Sequence, residues 1–220
     1  MRLKGALVGQ KVNPTGFRLG TVYTWSSRWF AQNPHVYAKQ LLEDQQMRKF
    51  LMENLKAAGI CKVEIERSFD KRTIFLHVSR PGVAIGRGGT GIEQLKANLL
   101  KKFKIKDAGK MEIKFEEVKA PDLNAYLVAV NIADQLARRI PFRRIMNQSL
   151  ERVKRSGAKG VRISLAGRLG GSEIARRETL KDGSIPLHTI RAIIDYGQVD
   201  AKVPKAGIVG IKVWINKGES

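Results

Sequence analysis

Two hundred and twenty residues, 43 % of them hydrophobic, suffice for one large or two ordinary packed domains, while 41 lysines and arginines against 20 acids leave a net charge of +21. A surplus of that size repels itself in a compact state unless a polyanion neutralises it, so nucleic acid or an anionic surface is the first expectation and an ordinary metabolic enzyme the exception. The single cysteine, Cys61, excludes an internal disulfide and cysteine-rich zinc modules, and His35, His77 and His188 are too scattered for a metal cluster.

In chain order, Met1 to Gly9 is basic but has no apolar stretch of signal-peptide length, and nowhere do about 18 apolar residues run together to span a bilayer. The expectation is a cytoplasmic chain, or one of an organelle matrix, with no membrane. Gly9 to Phe30 mixes Gly9, Pro14, Gly16 and Gly20 with Lys11, Arg18 and Arg28, and reads as an irregular basic arm. Its aromatics Tyr23, Trp25, Trp29 and Phe30 either pack the arm onto a domain or stack on bases, and the packing role is the more ordinary one.

From Asp44, the apolar residues Met47, Phe50, Leu51 and Leu55 recur at three and four residues, which predicts a helix ended by Gly59. Two strands follow, one around Val63 and Ile65 and one over residues 72–79 with Ile74, Leu76 and Val78 on one side, closed by Pro81 and Gly82. After a glycine cluster, Ile92, Leu95, Leu99 and Phe103 predict a second helix, and Met111, Ile113 and Phe115 a third strand. Lys119, Ala120 and Pro121 form a short linker. Two helices broken by Pro141 come next, the first striped with Leu123, Leu127, Val128, Ile132 and Leu136, the second with Ile145, Met146, Leu150 and Val153. Strands around residues 161–165, 190–196 and 209–215 complete the chain. The fold class is α+β, with domain expectations of an arm and lead-in over 1–43, a domain of helix, two strands, glycine loop, helix and strand over 44–118, and a second α+β domain over 119–220 built of two helices and an antiparallel-rich sheet. Charge is shared evenly between the two halves of the chain: residues 1–118 hold 22 basic and 11 acidic residues, and residues 119–220 hold 19 and 9.

Three constellations carry candidate chemistry. Gly86-Arg87-Gly88-Gly89 runs straight into Thr90-Gly91-Ile92-Glu93, where Thr90 and Glu93 have capping-box spacing. A helix opening directly after bare glycines points unpaired N–H groups and the positive end of its dipole into an unobstructed loop, a seat for a phosphate that Arg87 reinforces. Glycines also serve plain tight turns, and the charge of the chain tips the reading toward phosphate. Gly86, Gly88 and Gly91 equally satisfy a dinucleotide fingerprint, with Asp107 and Glu112 at a suitable distance for a ribose acid, so a nucleotide-cofactor enzyme is the alternative. Against it, Pro81 and Gly82 separate the strand from the first glycine. The order of helix, glycine loop, helix and strand resembles a type II KH domain, whose loop clamps single-stranded nucleic acid, and Val83, Ile85 and Ile92 would be its apolar neighbours. Many ribosomal relatives carry a second basic residue where Gly88 stands here.

The second constellation is Arg138, Arg139, Arg143 and Arg144, followed by Arg152, Lys154 and Arg155 against Glu151 alone. Arginines in a first helical turn oppose the dipole unless an anion sits there, and Arg143 and Asn147 fall one turn apart. A solvated basic face is the plain alternative. In the third, Gly167-Arg168-Leu169-Gly170-Gly171-Ser172 leads toward Arg176 and Arg177. It is read either as a second phosphate seat before a short helix or as a close-packing glycine pair, with neither favoured. Ser184, His188 and Asp195 lack a nucleophile elbow, and no Walker A sequence occurs, so no catalytic residue, metal site or cofactor is expected.

Taken together, Gly9-Gln10-Lys11-Val12-Asn13-Pro14, Gly16 to Gly20, Arg80-Pro81-Gly82 with Ile85-Gly86-Arg87, Phe142-Arg143-Arg144, Ser164 to Ile174, Pro186-Leu187-His188-Thr189 and Lys212-Val213-Trp214-Ile215 resemble the third-protein family of the bacterial-type small ribosomal subunit. The resemblance implies a non-enzymatic component seated on small-subunit (16S-type) rRNA in the head of the particle, beside neighbouring head proteins. It implies further that Gly86, Arg87, Gly88 and Gly89 form the KH loop and that Arg143 and Arg144 line the entrance for mRNA, with Asn147 where the family has a third basic residue. The other candidate rRNA contacts are Lys11, Arg18, Arg28, Arg138, Arg139, Arg168, Arg176 and Arg177. Met1 to Val8 precede the family's usual start.

Overall fold

The computed structural model describes residues 11–68, 71–103, 111–204 and 206–219, without the side chain of Arg87. Met1 to Gln10 and Asp107, singled out above, lie outside the described residues, as does the Arg87 side chain. Two compact units divide the chain: residues 25–127, and residues 11–24 together with 128–219. The stretch expected to form one arm over 1–43 is therefore shared between them.

A single helical turn, α1 (Pro14–Phe17), opens the chain. Proline at its first position needs no N–H, and the Asn13 side chain accepts hydrogen bonds from Thr15 N at 2.9 Å and Gly16 N at 3.3 Å. This turn belongs with residues 128–219.

The first unit contains β1 (Ser27–Arg28), α2 (Pro34–Asn54), β2 (Ile60–Arg67), β3 (Arg72–Val78), α3 (Pro81–Ile85), α4 (Thr90–Phe103) and β4 (Met111–Glu117). The sheet runs β1-β2-β3-β4, with β2 and β3 antiparallel and β3 and β4 parallel. As the alternation predicts, Ile74, Leu76 and Val78 are fully buried, together with Met47 and Leu51 of α2 and Leu99 of α4. Helix α2 starts ten residues before the expected Asp44, capped by Asn33 with Pro34 at its first position. The early turns escape a periodicity reading because they bury no apolar stripe: Val36, Tyr37, Leu41 and Leu42 all stay exposed. Trp29 is anchored, its Nε1 donating to fully buried Asp44 at 2.7 Å, and the same carboxylate takes both Nε and a terminal nitrogen of Arg67. Trp25 and Phe30 remain exposed.

The division falls within α5 (Ala125–Ala137), whose residues from Val128 on belong to the second unit with α6 (Phe142–Arg155), β5 (Gly160–Gly167), β6 (Arg176–Gly183), β7 (Ala192–Val203) and β8 (Gly207–Glu219). Its sheet is wholly antiparallel, ordered β6-β5-β8-β7. Val161, Ile163 and Leu165 of β5 stand opposite Ile215, Val213 and Ile211 of β8, so one sheet face is aliphatic, and all six are buried with Ile132, Ile145, Met146 and Val153 of the helices. Strand β6 was not expected: Gly167 to Arg177 does not lead into a helix but through a 3-10 turn (Leu169–Gly171) and extended Ser172 into this strand. The side chain of Ser172 donates to Leu169 O and Ile174 O.

Candidate nucleic-acid interface

The glycine loop is set between two helices. Proline at the start of α3 lets it nucleate with only two residues between it and β3, so seven residues, five of them helical, separate the strand from Gly86. A dinucleotide turn needs the glycine directly after the strand, and here it does not follow. The four glycines divide by role. A Cβ on Gly91 would lie 2.7 Å from Ala84 O and 2.8 Å from Ile85 O, and one on Gly86 3.1 Å from Gly91 N, so these two permit α3 and α4 to meet. Gly88 (φ 63°) and Gly89 (φ 82°) have no heavy atom within 4 Å of an added Cβ. They hold left-handed backbone over open space, leaving the loop accessible at the start of α4, with Glu93 in its first turn.

In the second unit, Arg138 and Arg139 form the corner between α5 and α6. Arg139 N donates to Leu136 O at 2.9 Å and Ile140 N to Gln135 O at 3.3 Å, a Schellman ending whose left-handed position is filled by Arg139 at φ 61°. Among the described residues it is the one non-glycine with positive φ. Helix α6 then begins behind Pro141 with no side chain capping it and no acid in its first turn. Arg143, Arg144 and Asn147 are exposed, while Ile145, Met146, Ser149, Leu150 and Val153 face inward. Among the described residues no carboxylate pairs with Arg138, Arg139, Arg143 or Arg144, whereas Lys154 reaches Asp182 at 2.6 Å and Arg155 reaches Glu151 at 3.4 Å. Phe142 gathers one neighbouring and one distant cation: Arg143 lies 5.9 Å and Arg176 5.7 Å from its ring centroid. Arg139 and Arg168 both line an apolar cavity of about 450 Å³ that Phe142 and Leu169 share.

The remaining candidates separate. Arg18 is fully buried and bonded to five backbone carbonyls, so its charge serves the protein and not a ligand. Arg28 pairs with Glu66 at 2.9 Å and Glu64 at 3.3 Å. Burial would push the Glu64 carboxyl up, but Lys62, Arg28 and His77 outweigh it and hold its pKa below the ordinary value. Arg176 pairs with Glu178 at 3.3 Å, and the Nε of Arg168 donates to Ser172 O at 2.9 Å. Lys11 and Arg177 line a cavity of about 380 Å³ on the second sheet. Sequence reading missed the left-handed Arg139, which nothing short of the backbone angle reveals, and the companions of Lys11 and Arg177 on that sheet. Among the described residues no group of three His, Cys, Asp or Glu could hold a metal ion, and no helix is long and apolar enough to cross a membrane.

Comparison with known proteins bears on both units. Residues 46–123 match the family profile "KH domain", and residues 132–215 match "Ribosomal protein S3, C-terminal domain". Over 212 residues, 96 % of the chain, it is 50 % identical to the small ribosomal subunit protein uS3 of Clostridioides difficile, covering 76 % of that protein. Proteins of the same name from Syntrophobacter fumaroxidans and Clostridium novyi are 49 % and 48 % identical over the same share of the chain, which covers 99 % and 94 % of their lengths.

Proposed function

The chain belongs to the uS3 family of small ribosomal subunit proteins, and from that premise we propose that it holds rRNA in the head of the subunit while its α5–α6 corner borders the path by which mRNA enters. It acts as a structural RNA-binding component, with neighbouring head proteins as partners. One observation supports the mRNA assignment above others: Arg143 and Arg144 stand exposed on the uncapped first turn of α6, opposite no carboxylate among the described residues. That arrangement works against the helix dipole in isolation, and a passing phosphate backbone supplies what it lacks. Asn147, one turn on, contributes a hydrogen-bonding amide and no charge. In the first unit the open Gly88-Gly89 segment suits single-stranded RNA running along the start of α4.

Replacing Arg143 and Arg144 by Ala in ribosomes carrying this chain tests the reading. Translation through a stable mRNA hairpin is expected to slow while unstructured mRNA is read normally and subunits assemble in ordinary yield. If assembly falls in step with translation, the pair anchors rRNA and the mRNA reading is wrong. A nucleotide-cofactor enzyme is not favoured, because α3 stands between β3 and Gly86 and the segment matches a KH domain.

A further inference from the structure

The sheet of the second unit has one aliphatic face and one that is not. Directly paired residues in an antiparallel ladder point the same way, so the register defines rows across the other face. One row is Lys181, Arg162, Trp214 and Tyr196, and the next is Thr179, Ser164, Lys212 and Gln198. A third is Arg177, Ala166, Gly210 and Asp200. Lys181, Arg177 and Arg162 lie on β6 and β5, Lys212 and Trp214 on the inner strand β8, Tyr196 on the edge strand β7, and one acid, Asp200, at the far corner. The Arg162 guanidinium lies over the Trp214 ring at 5.0 Å, and Trp214 and Tyr196 meet at 5.4 Å between centroids. Over this platform the chain ahead of α1 brings Lys11 to Asn13, closing a cavity of about 380 Å³ into which Lys11, Arg162, Arg177 and Lys212 project without any lining acid.

Two details point to an anionic, planar guest. Arg162 Nε is screened from solvent yet has no hydrogen-bond partner among the described residues, a donor left without an acceptor. The hydroxyls around it already have partners, Ser164 and Thr179 sharing a bond at 3.1 Å and Tyr196 donating to Gln198 Oε1 at 2.9 Å, so what remains unmatched is positive charge and a stacking surface.

We propose that this open sheet face is an RNA contact receiving one unpaired nucleotide, its base on the Arg162, Trp214 and Tyr196 platform and its phosphates against Lys212, Arg177 and Lys11. The assignment rests on the rRNA reading above and adds a site to it. Guanidinium planes and aromatic rings are what proteins offer to splayed single-stranded bases, and the cavity is sized for one base, not a duplex groove.

The full chain is bound to purified small-subunit rRNA over a salt series, beside Arg162→Gln/Lys212→Gln and, separately, Tyr196→Leu. Rings of 4-thiouridine in the rRNA report photocrosslinks by mass spectrometry. Expected are crosslinks to residues of β7 and β8, affinity about tenfold weaker in the double variant, and a salt slope reduced by about one to two. Arg162→Lys, which keeps charge but loses the planar surface, recovers the slope and not the crosslinks. Unchanged binding with no crosslink on these strands overturns the site while the rRNA reading stands. Absence of rRNA binding by the wild type overturns the reading itself, and crosslinks from this face to another protein in assembled subunits make it a protein interface and overturn the proposal.

Discussion

Arg18 Nε donates to the carbonyl oxygen of Ala192 at 2.7 Å, joining residues 174 positions apart. Its terminal nitrogens reach Pro14 O, Pro186 O, Leu187 O and Thr189 O at 2.8 to 3.2 Å. Burial lowers the pKa of this guanidinium, yet arginine stays charged throughout the accessible pH range. Five carbonyl dipoles thus replace its water. Arg18→Ala leaves those carbonyls unpaired around a void and is expected to destabilise the second unit by roughly 3 kcal/mol or more. Hydrogen exchange checks it: protection should fall in residues 11–24 and 186–203 and hold in residues 25–127.

Tyr23, from the same segment, donates its hydroxyl to Ile194 O at 2.9 Å, and burial, aided by Asp195, pushes its pKa up to about 12. The unfolded phenol ionises near the ordinary value of 10, so above that pH the unfolded state sheds a proton that the folded state keeps. Its stabilisation is complete below pH 10 and is lost as the pH rises toward about 12. Urea midpoints measured from pH 9 to pH 11.5 should fall more steeply for the wild type than for Tyr23→Phe.

Glycines of the KH loop should respond unequally. Gly91→Ala drives a methyl group against two carbonyls of α3 and is expected to lower the stability of the first unit by about 1 to 3 kcal/mol. Gly88→Asp meets no atom and costs about 1 kcal/mol for its left-handed backbone, but places a negative charge in the loop. Thermal denaturation should rank Gly91→Ala as the less stable, and binding of single-stranded RNA should rank Gly88→Asp as the weaker.

At the α5–α6 corner, Arg139→Gly releases a side chain from φ 61° and should raise stability by about 1 kcal/mol, whereas Arg139→Ala should not. Both remove the charge. A denaturation midpoint that rises for glycine alone, beside equal weakening of RNA binding, would show that this position trades stability for a cation.

Much of this architecture is legible from residue spacing. Ile74, Leu76 and Val78, or Val161, Ile163 and Leu165, alternate so plainly that strand and buried face follow together. Elsewhere distant contacts decide. Strand β6, with the letters RRETLKDG, carries one aliphatic residue, Leu180, and is a strand because β5 offers it a ladder from Gly160 to Gly167. The first turns of α2 bury no apolar stripe for periodicity to detect. At the proposed interface, the place of Arg143 and Arg144 in the first turn of α6 was readable because arginine there is locally anomalous, and the structure leaves both exposed. Arg18 was not, since a basic residue among glycines and proline looks like surface and nothing nearby announces carbonyls 168 to 174 residues away.

That same fastening imposes an order on biosynthesis. Residues 11–24 emerge before the rest of their unit, and four of the five peptide groups that receive Arg18 follow 168 to 174 residues later, roughly 8 to 35 s at ordinary elongation rates. Meanwhile residues 25–127, a compact unit whose contacts lie within one contiguous stretch, leave the exit tunnel complete, while the segment bearing Arg18 still awaits the residues that will receive it.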